Sequence, residues 1–158
     1  MCYYDAMHTG SQRPFKYVAA FCTAFLVAGC LSGPFASEEM DAAAKTFTPA
    51  DNRANVYVIR DAEWPGYQGQ VLIDNMVAGW IVSSSYTLLS VSPGAHVLCY
   101  VIFDHTARAN IWVDAGKSYF FQTSATQGWN EPTVELKPAD ESSGKALVSQ
   151  SRRAVNNP

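Results

Sequence analysis

The chain has 158 residues, 48% apolar and 16% charged, with a formal net charge of −3. That length suits one domain, and the apolar fraction can build a core, which excludes a disordered polar tract. The acidic balance argues against a nucleic-acid partner, since such binders display basic patches.

The first thirty residues read as an export signal. Arg13 and Lys16 form a basic stretch, and Tyr17 to Ala28 is an uncharged, apolar or small-residue run. Its length falls within the roughly 7–15 residues of a signal core and short of the about 20 needed to span a bilayer. A buried core helix is the plain alternative, but the basic flank and the small residues at its end favour a signal. Met7 competes with Met1 as the true start, because the stretch before it adds nothing that a signal needs. The run ends in Val27-Ala28-Gly29-Cys30, which resembles a bacterial lipobox. That resemblance implies cleavage before Cys30 and a diacylglyceryl group on its thiol, often with a third acyl chain on the amine. Two or more chains hold a protein on a membrane stably, where one gives only marginal attachment. Leu31 stands where inner-membrane lipoproteins of enteric bacteria often have Asp, so the resemblance points to the periplasmic face of the outer membrane.

Processing would remove residues 1–29, and with them Arg13, Lys16 and Asp5. Nine basic and thirteen acidic residues remain, a net charge of −4. Cys2 and Cys22 would also go. Cys99 would then have no intramolecular disulfide partner and is expected as a buried thiol within Val97-Leu98-Cys99-Tyr100-Val101.

Residues 30–52 are expected to be a flexible tether. Gly33-Pro34 breaks the chain, Ser37 is placed to cap a transient helix through Glu38 to Lys45, and Thr48-Pro49 stops it. Few apolar side chains are present to offset the entropy of ordering it.

From Arg53 the apolar period becomes two. Strands are expected at Ala54–Arg60, at Val71–Asp74 and Val77–Ile81 as a hairpin turning near Asp74-Asn75, and at Tyr86–Val91. The run Ala95–Phe103 is apolar on both faces and suggests a central strand covered on each side. Asn110–Val113 and Ser118–Ser124 are expected to pair across Asp114-Ala115-Gly116-Lys117, and Thr133–Lys137 closes the set. The pattern predicts an all-β fold: a single antiparallel β-sandwich of seven or eight short strands over 53–138. A short C-terminal helix and tail over 139–158 would help to cover Ala95–Phe103.

The order of several short motifs resembles the domain-of-unknown-function 2846 family of small bacterial lipoproteins. These are Ala44-Lys45-x-Phe47-x-Pro49, Ala54-x-Val56-Tyr57-Val58-x-Arg60, Ile73-Asp74-Asn75, Ser85-Tyr86, Pro93-Gly94-x-His96, Ala115-Gly116-Lys117-x-Tyr119-Phe120 and Gly144-Lys145. The hairpin and the Pro93-Gly94 turn are also similar to PEGA-type surface modules, with Asn75 where those usually have Gly. These resemblances imply fold and location and bring no activity.

Chemistry-bearing constellations are sparse. Ser83-Ser84-Ser85 with His96 or His105 and Asp104 lacks a nucleophile-elbow motif, and no histidine has a partner at zinc-ligand spacing. The sequence therefore predicts no catalytic residues, no metal and no cofactor. Trp64 with Tyr67, and Trp129, lie in the two loops that most interrupt the strand pattern. They are candidates for a glycan or peptidoglycan platform, or for lids over the ends of the core. Trp80 and Trp112 sit in strands and are expected to be core or half-buried packing. The functional expectation is a lipid-anchored envelope protein with a structural or interaction role, whose partners are the membrane through Cys30 and an envelope protein or peptidoglycan.

Overall fold

A computed structural model describes residues 35–62, 67–127 and 132–155. The expected signal, the lipobox-like tetrapeptide Val27-Ala28-Gly29-Cys30, Trp64 and Trp129 all lie outside the described residues. In chain order the elements are α1 (Glu38–Ala44), β1 (Ala54–Arg60), β2 (Gly69–Ile73), β3 (Met76–Ile81), β4 (Ser85–Val91) and β5 (Gly94–Ile102). They continue with β6 (His105–Val113), β7 (Ser118–Gln127), β8 (Pro132–Ala139), α2 (Glu141–Gln150) and β9 (Arg152–Arg153).

Two sheets face each other, as the period-two pattern predicted. One has the order β8-β7-β1-β4-β9 and the other β3-β2-β5-β6. The first is mixed rather than wholly antiparallel, since β1 runs parallel to β7 and β4 parallel to β9. The hairpin turns at Asp74-Asn75, where Ile73 pairs with Met76 and both turn residues have positive φ, 51° and 66°. Two left-handed residues give the turn the twist of its strands, and Asp and Asn tolerate that conformation best after Gly. One expected pairing does not form. Asp114–Lys117 carries the chain from one sheet to the other, so β6 pairs with β5 and β7 with β1 and β8.

The strand buried on both faces is β1, all seven residues of it, and not the Ala95–Phe103 run. Ala54, Val56 and Val58 join the core between the sheets with Val71, Leu98, Tyr100, Ile102 and Val113. Arg60 continues that inner row at its end, 2% exposed, and its guanidinium donates to the Tyr67 carbonyl. Tyr57 and Ile59 point the other way and form a second core with Ala44, Tyr86, Phe120 and Val148, flanked by Phe47 and Leu147. The Tyr57 and Phe120 rings stack at 5.0 Å, and the Tyr57 hydroxyl donates to the Ala44 carbonyl at 2.7 Å. Both helices therefore lie against the five-stranded sheet. A Cβ on Gly144 would come within 2.3 Å of the Phe120 side chain, so the glycine lets α2 approach this sheet. The expected cover of β5 by the C-terminal helix is not what forms. That segment makes α2 and then β9, which adds to the edge of the other sheet.

The flexible tether expected over 30–52 is also corrected, for residues 35–52. Ser37 caps α1 as predicted, accepting from the Met40 amide at 3.3 Å. The helix is held by more than its own turn, because Asp41 acts as a hub. One carboxylate oxygen accepts from the Tyr86 hydroxyl at 2.8 Å and from the Arg153 amide at 2.9 Å, and the other from Lys45 Nζ at 2.7 Å. Lys45 also donates to the Ser151 carbonyl at 2.9 Å, and the Ala36 amide to the Arg153 carbonyl at 2.9 Å. Partial burial disfavours the Asp41 charge, but the bonds from Lys45, Tyr86 and Arg153 outweigh it and hold the carboxyl below its ordinary value. Ordering this segment is offset by Ala44 and Phe47 packing on aromatic rings and by charge-assisted bonds to the far end of the chain. Asp41→Ala leaves the buried Tyr86 hydroxyl only the long bond to the Asp41 backbone carbonyl, at 3.5 Å, and should cost about 2–3 kcal/mol in urea unfolding. An unchanged midpoint would show that the hub carries no stability.

Candidate functional site

The outer faces of the two sheets differ. α1 and α2 cover the five-stranded sheet, whereas no described element covers the outside of β3-β2-β5-β6. Strand alternation decides what this bare face presents. In β5 the inward residues are Leu98, Tyr100 and Ile102, which leaves Ala95, Val97, Cys99 and Val101 outside. In β6, Ala109, Ile111 and Val113 face the core, so Thr106, Arg108, Asn110 and Trp112 face out and are exposed. From β2 come Gln70 and Leu72.

Strand β3 contributes both Val77 and Trp80, three positions apart, which a regular strand would put on opposite faces. The pairing shifts between Val71 and Leu72, so that Val71 opposes Gly79 and Leu72 opposes Val77. Ala78 is the extra residue of this bulge, and it lets both larger side chains point outward. Cross-strand register then sets the rows. Trp80, Gln70, Val101 and Thr106 form one, and Val77, Leu72, Cys99 and Arg108 the next; Val97 with Asn110 and Ala95 with Trp112 follow.

The face sets apolar side chains among the polar Gln70, Thr106, Arg108 and Asn110, with tryptophans at two corners, 44% and 68% exposed for Trp80 and Trp112. Both were expected to be core or half-buried packing; Trp80 keeps over half of its surface covered and fits the second, and Trp112 is corrected to an exposed position. Within these rows Arg108 is the one charge, while the carboxylates of Asp74, bonded to the Val97 amide, and of Asp114, bonded to the Trp112 indole, stand at the rim. The Trp112 indole is held in place, since its Nε1–H donates to Asp114 at 3.2 Å, and Asp114 also accepts from Lys117 Nζ at 2.9 Å. That lysine bond, with help from the indole, keeps the Asp114 carboxyl below its ordinary pKa. At the other end Tyr67 and Phe103 pack edge to face at 4.9 Å, 41% and 64% exposed. Phe103 has φ 54°, a conformation that a bulky residue adopts at a cost, at the tip of the β5–β6 turn. Cys99 is a free thiol, half-buried on this outer face beside Arg108 rather than in the core as expected.

The sequence-predicted candidates are dispersed. Of the ring platform only Tyr67 is described. Ser85 is buried, with its hydroxyl tied to Val82, and Ser83 donates to the Ala62 carbonyl at 3.1 Å. His105 lies 3.2 Å from the 89% exposed Asp104, at the far end of the β5–β6 hairpin from His96. Among the described residues no group of three His, Cys, Asp or Glu is placed to hold a metal ion, and no helix is long and apolar enough to cross a membrane. The Trp112 signal was legible in strict alternation, because Trp112 shares parity with Thr106, Arg108 and Asn110. The Trp80 signal was hidden by the bulge.

His96 fastens the β2–β3 turn to the rim of this sheet. Its Nδ1 lies 2.6 Å from Asp74 and its Nε2 2.8 Å from the Ser92 carbonyl, two acceptors that a protonated imidazole satisfies together. The Asp74 bond raises the His96 pKa, partial burial and Arg53 oppose it, and the Ser92 carbonyl reinforces it. The bond to His96 lowers Asp74 in turn.

No family model, curated protein or solved structure matches the chain.

A His pKa raised by folding stabilises fully below the unfolded value of about 6.5 and is lost as pH rises through the folded pKa. Unfolding midpoints from about pH 5 to about pH 9 should therefore decline in the wild type. The decline should flatten in His96→Gln, and an equal decline in both would refute the ion pair's role.

Proposed function

We propose that this chain is a lipid-anchored bacterial envelope protein, attached through Cys30, whose sandwich acts by binding and not by turnover. The lipobox-like Val27-Ala28-Gly29-Cys30 after a basic and apolar leader supports the anchor. The order of turn motifs, which resembles the domain-of-unknown-function 2846 lipoproteins, supports the envelope, and Leu31 favours the outer membrane. The observation that carries the binding role is the bare, tryptophan-cornered face of the four-stranded sheet. Apolar patches of this kind, rimmed by polar groups, mark interaction surfaces. Trp112 also has a fixed orientation, so less freedom is lost when a partner covers it.

Cys30→Ala should abolish acyl labelling and release the protein from washed membranes. A Cys30→Ala protein that still fractionates with membranes removes the anchor from this account. Trp80→Ser with Trp112→Ser should leave stability within about 0.5 kcal/mol, as expected for surface positions. A large destabilisation would mean that these rings are packing residues after all. Co-sedimentation with peptidoglycan that survives this double change, but is lost in Trp64→Ala with Trp129→Ala, would favour the glycan-binding alternative.

A further inference from the structure

The chain between anchor and domain is short. Phe35 already belongs to the fold, bridging Ala154, and its ring lies 4.1 Å from the Arg152 guanidinium. Only Leu31, Ser32, Gly33 and Pro34 separate it from Cys30. Fully extended, those five steps reach about 17 Å. A domain of this size has a radius of gyration of about 14 Å, so its diameter exceeds the reach of its leash. The leash joins the domain at its surface, so an anchored domain keeps the margin that carries Phe35 within about 17 Å of the bilayer.

The chain enters at a margin of the sandwich. Residues 35–36 run beside β9, which extends the five-stranded sheet past β4, and β4 lies across from β3. The bare face begins at β3. It combines features that suit an interfacial surface: Trp80 and Trp112, which fit the boundary between headgroup and acyl chain, aliphatic Val77, Leu72, Val97 and Val101 between them, and carboxylates only at the rim, where Asp74 is engaged by His96 and Asp114 by Lys117. Arg108 is long enough to keep its charge among phosphates while its stem lies on apolar surface. A second copy of the chain fits less well, since two such faces would bring two Arg108 side chains together while the rim carboxylates of Asp74 and Asp114 are already engaged by His96 and Lys117.

We propose that the outer face of the four-stranded sheet lies on the bilayer that holds the anchor, so that acyl chains and sheet together fix the domain flat on the membrane. The proposal rests on the reading of Cys30 as lipidated.

The test uses the acylated full-length protein in vesicles of phosphatidylethanolamine and phosphatidylglycerol, in a Cys99→Ala background. Nitroxides are placed through Asn110→Cys on the bare face and through Ser149→Cys on α2. The proposal expects the Asn110 nitroxide to collide preferentially with oxygen, as in lipid, and the Ser149 nitroxide with an aqueous nickel chelate. Adding Trp80→Ser and Trp112→Ser should return the Asn110 nitroxide to the aqueous pattern while the acyl group keeps the protein on the vesicles. Equal nickel access at both sites in the otherwise native chain overturns the proposal and leaves the anchor standing. Dipolar broadening between Asn110 nitroxides overturns it in favour of a second copy. A chain that carries no acyl group and stays in the supernatant overturns the anchor, and this proposal with it.

Discussion

The constraint on which the fold depends is the burial of β1 on both faces. A strand with Val56 and Val58 on one side and Tyr57 and Ile59 on the other cannot lie at the surface of a two-layer sandwich. It needs the second sheet against its inner row and a further layer over its outer row. That further layer comes from the two ends of the domain, α1 from before β1 and α2 with β9 from after β8. Asp41 links them, receiving hydrogen bonds from α1, from β4 and from the backbone of β9. The aromatic set Phe47, Tyr57, Tyr86 and Phe120 fills the space between helices and sheet.

Two consequences run in opposite directions. Because both ends of the domain are spent on the five-stranded sheet, nothing of the described chain remains to cover the four-stranded one. Its outer face is left uncovered by the described residues, and burying the apolar part of such a face in a partner is favourable at about 25 cal/mol per Å². Because the N-terminal end is folded in, the spacer expected to hold the domain away from its anchor shrinks to a few residues.

Much of the sandwich was legible in the sequence, and the reasons for the rest are local. Period-two alternation and the turns at Asp74-Asn75 and Pro93-Gly94 located the strands, because each stands on side-chain parity or on a backbone conformation that few residues adopt. Strand partners were less legible, since Asp114–Lys117 looks like a hairpin turn while the chain crosses between sheets there. The helix α1 looked unsupported because its fixings, Tyr86, Ser151 and Arg153, lie 45 or more positions away. Of the candidate site, Trp112 was readable from parity in β6. Trp80 was not, because a bulge is a property of two paired strands and leaves no trace in the alternation of one. Trp64 and Trp129, the pair that the sequence favoured, lie outside the described residues.

Residues 35–52 belong to the domain, with Ala44 in its second core, Phe47 packed against that core and Asp41 bonded to Tyr86 and Arg153. Hydrogen exchange of the α1 amides measures this most directly, in particular those of Asp41 and Lys45, which donate to the carbonyls of Ser37 and Asp41. A clamped α1 predicts exchange slowed together with that of the Ala36 and Ala154 amides, which tie the two ends of the domain to β9 and β4. Exchange of the α1 amides at the rate of an unstructured peptide, with β1 still protected, would contradict the account.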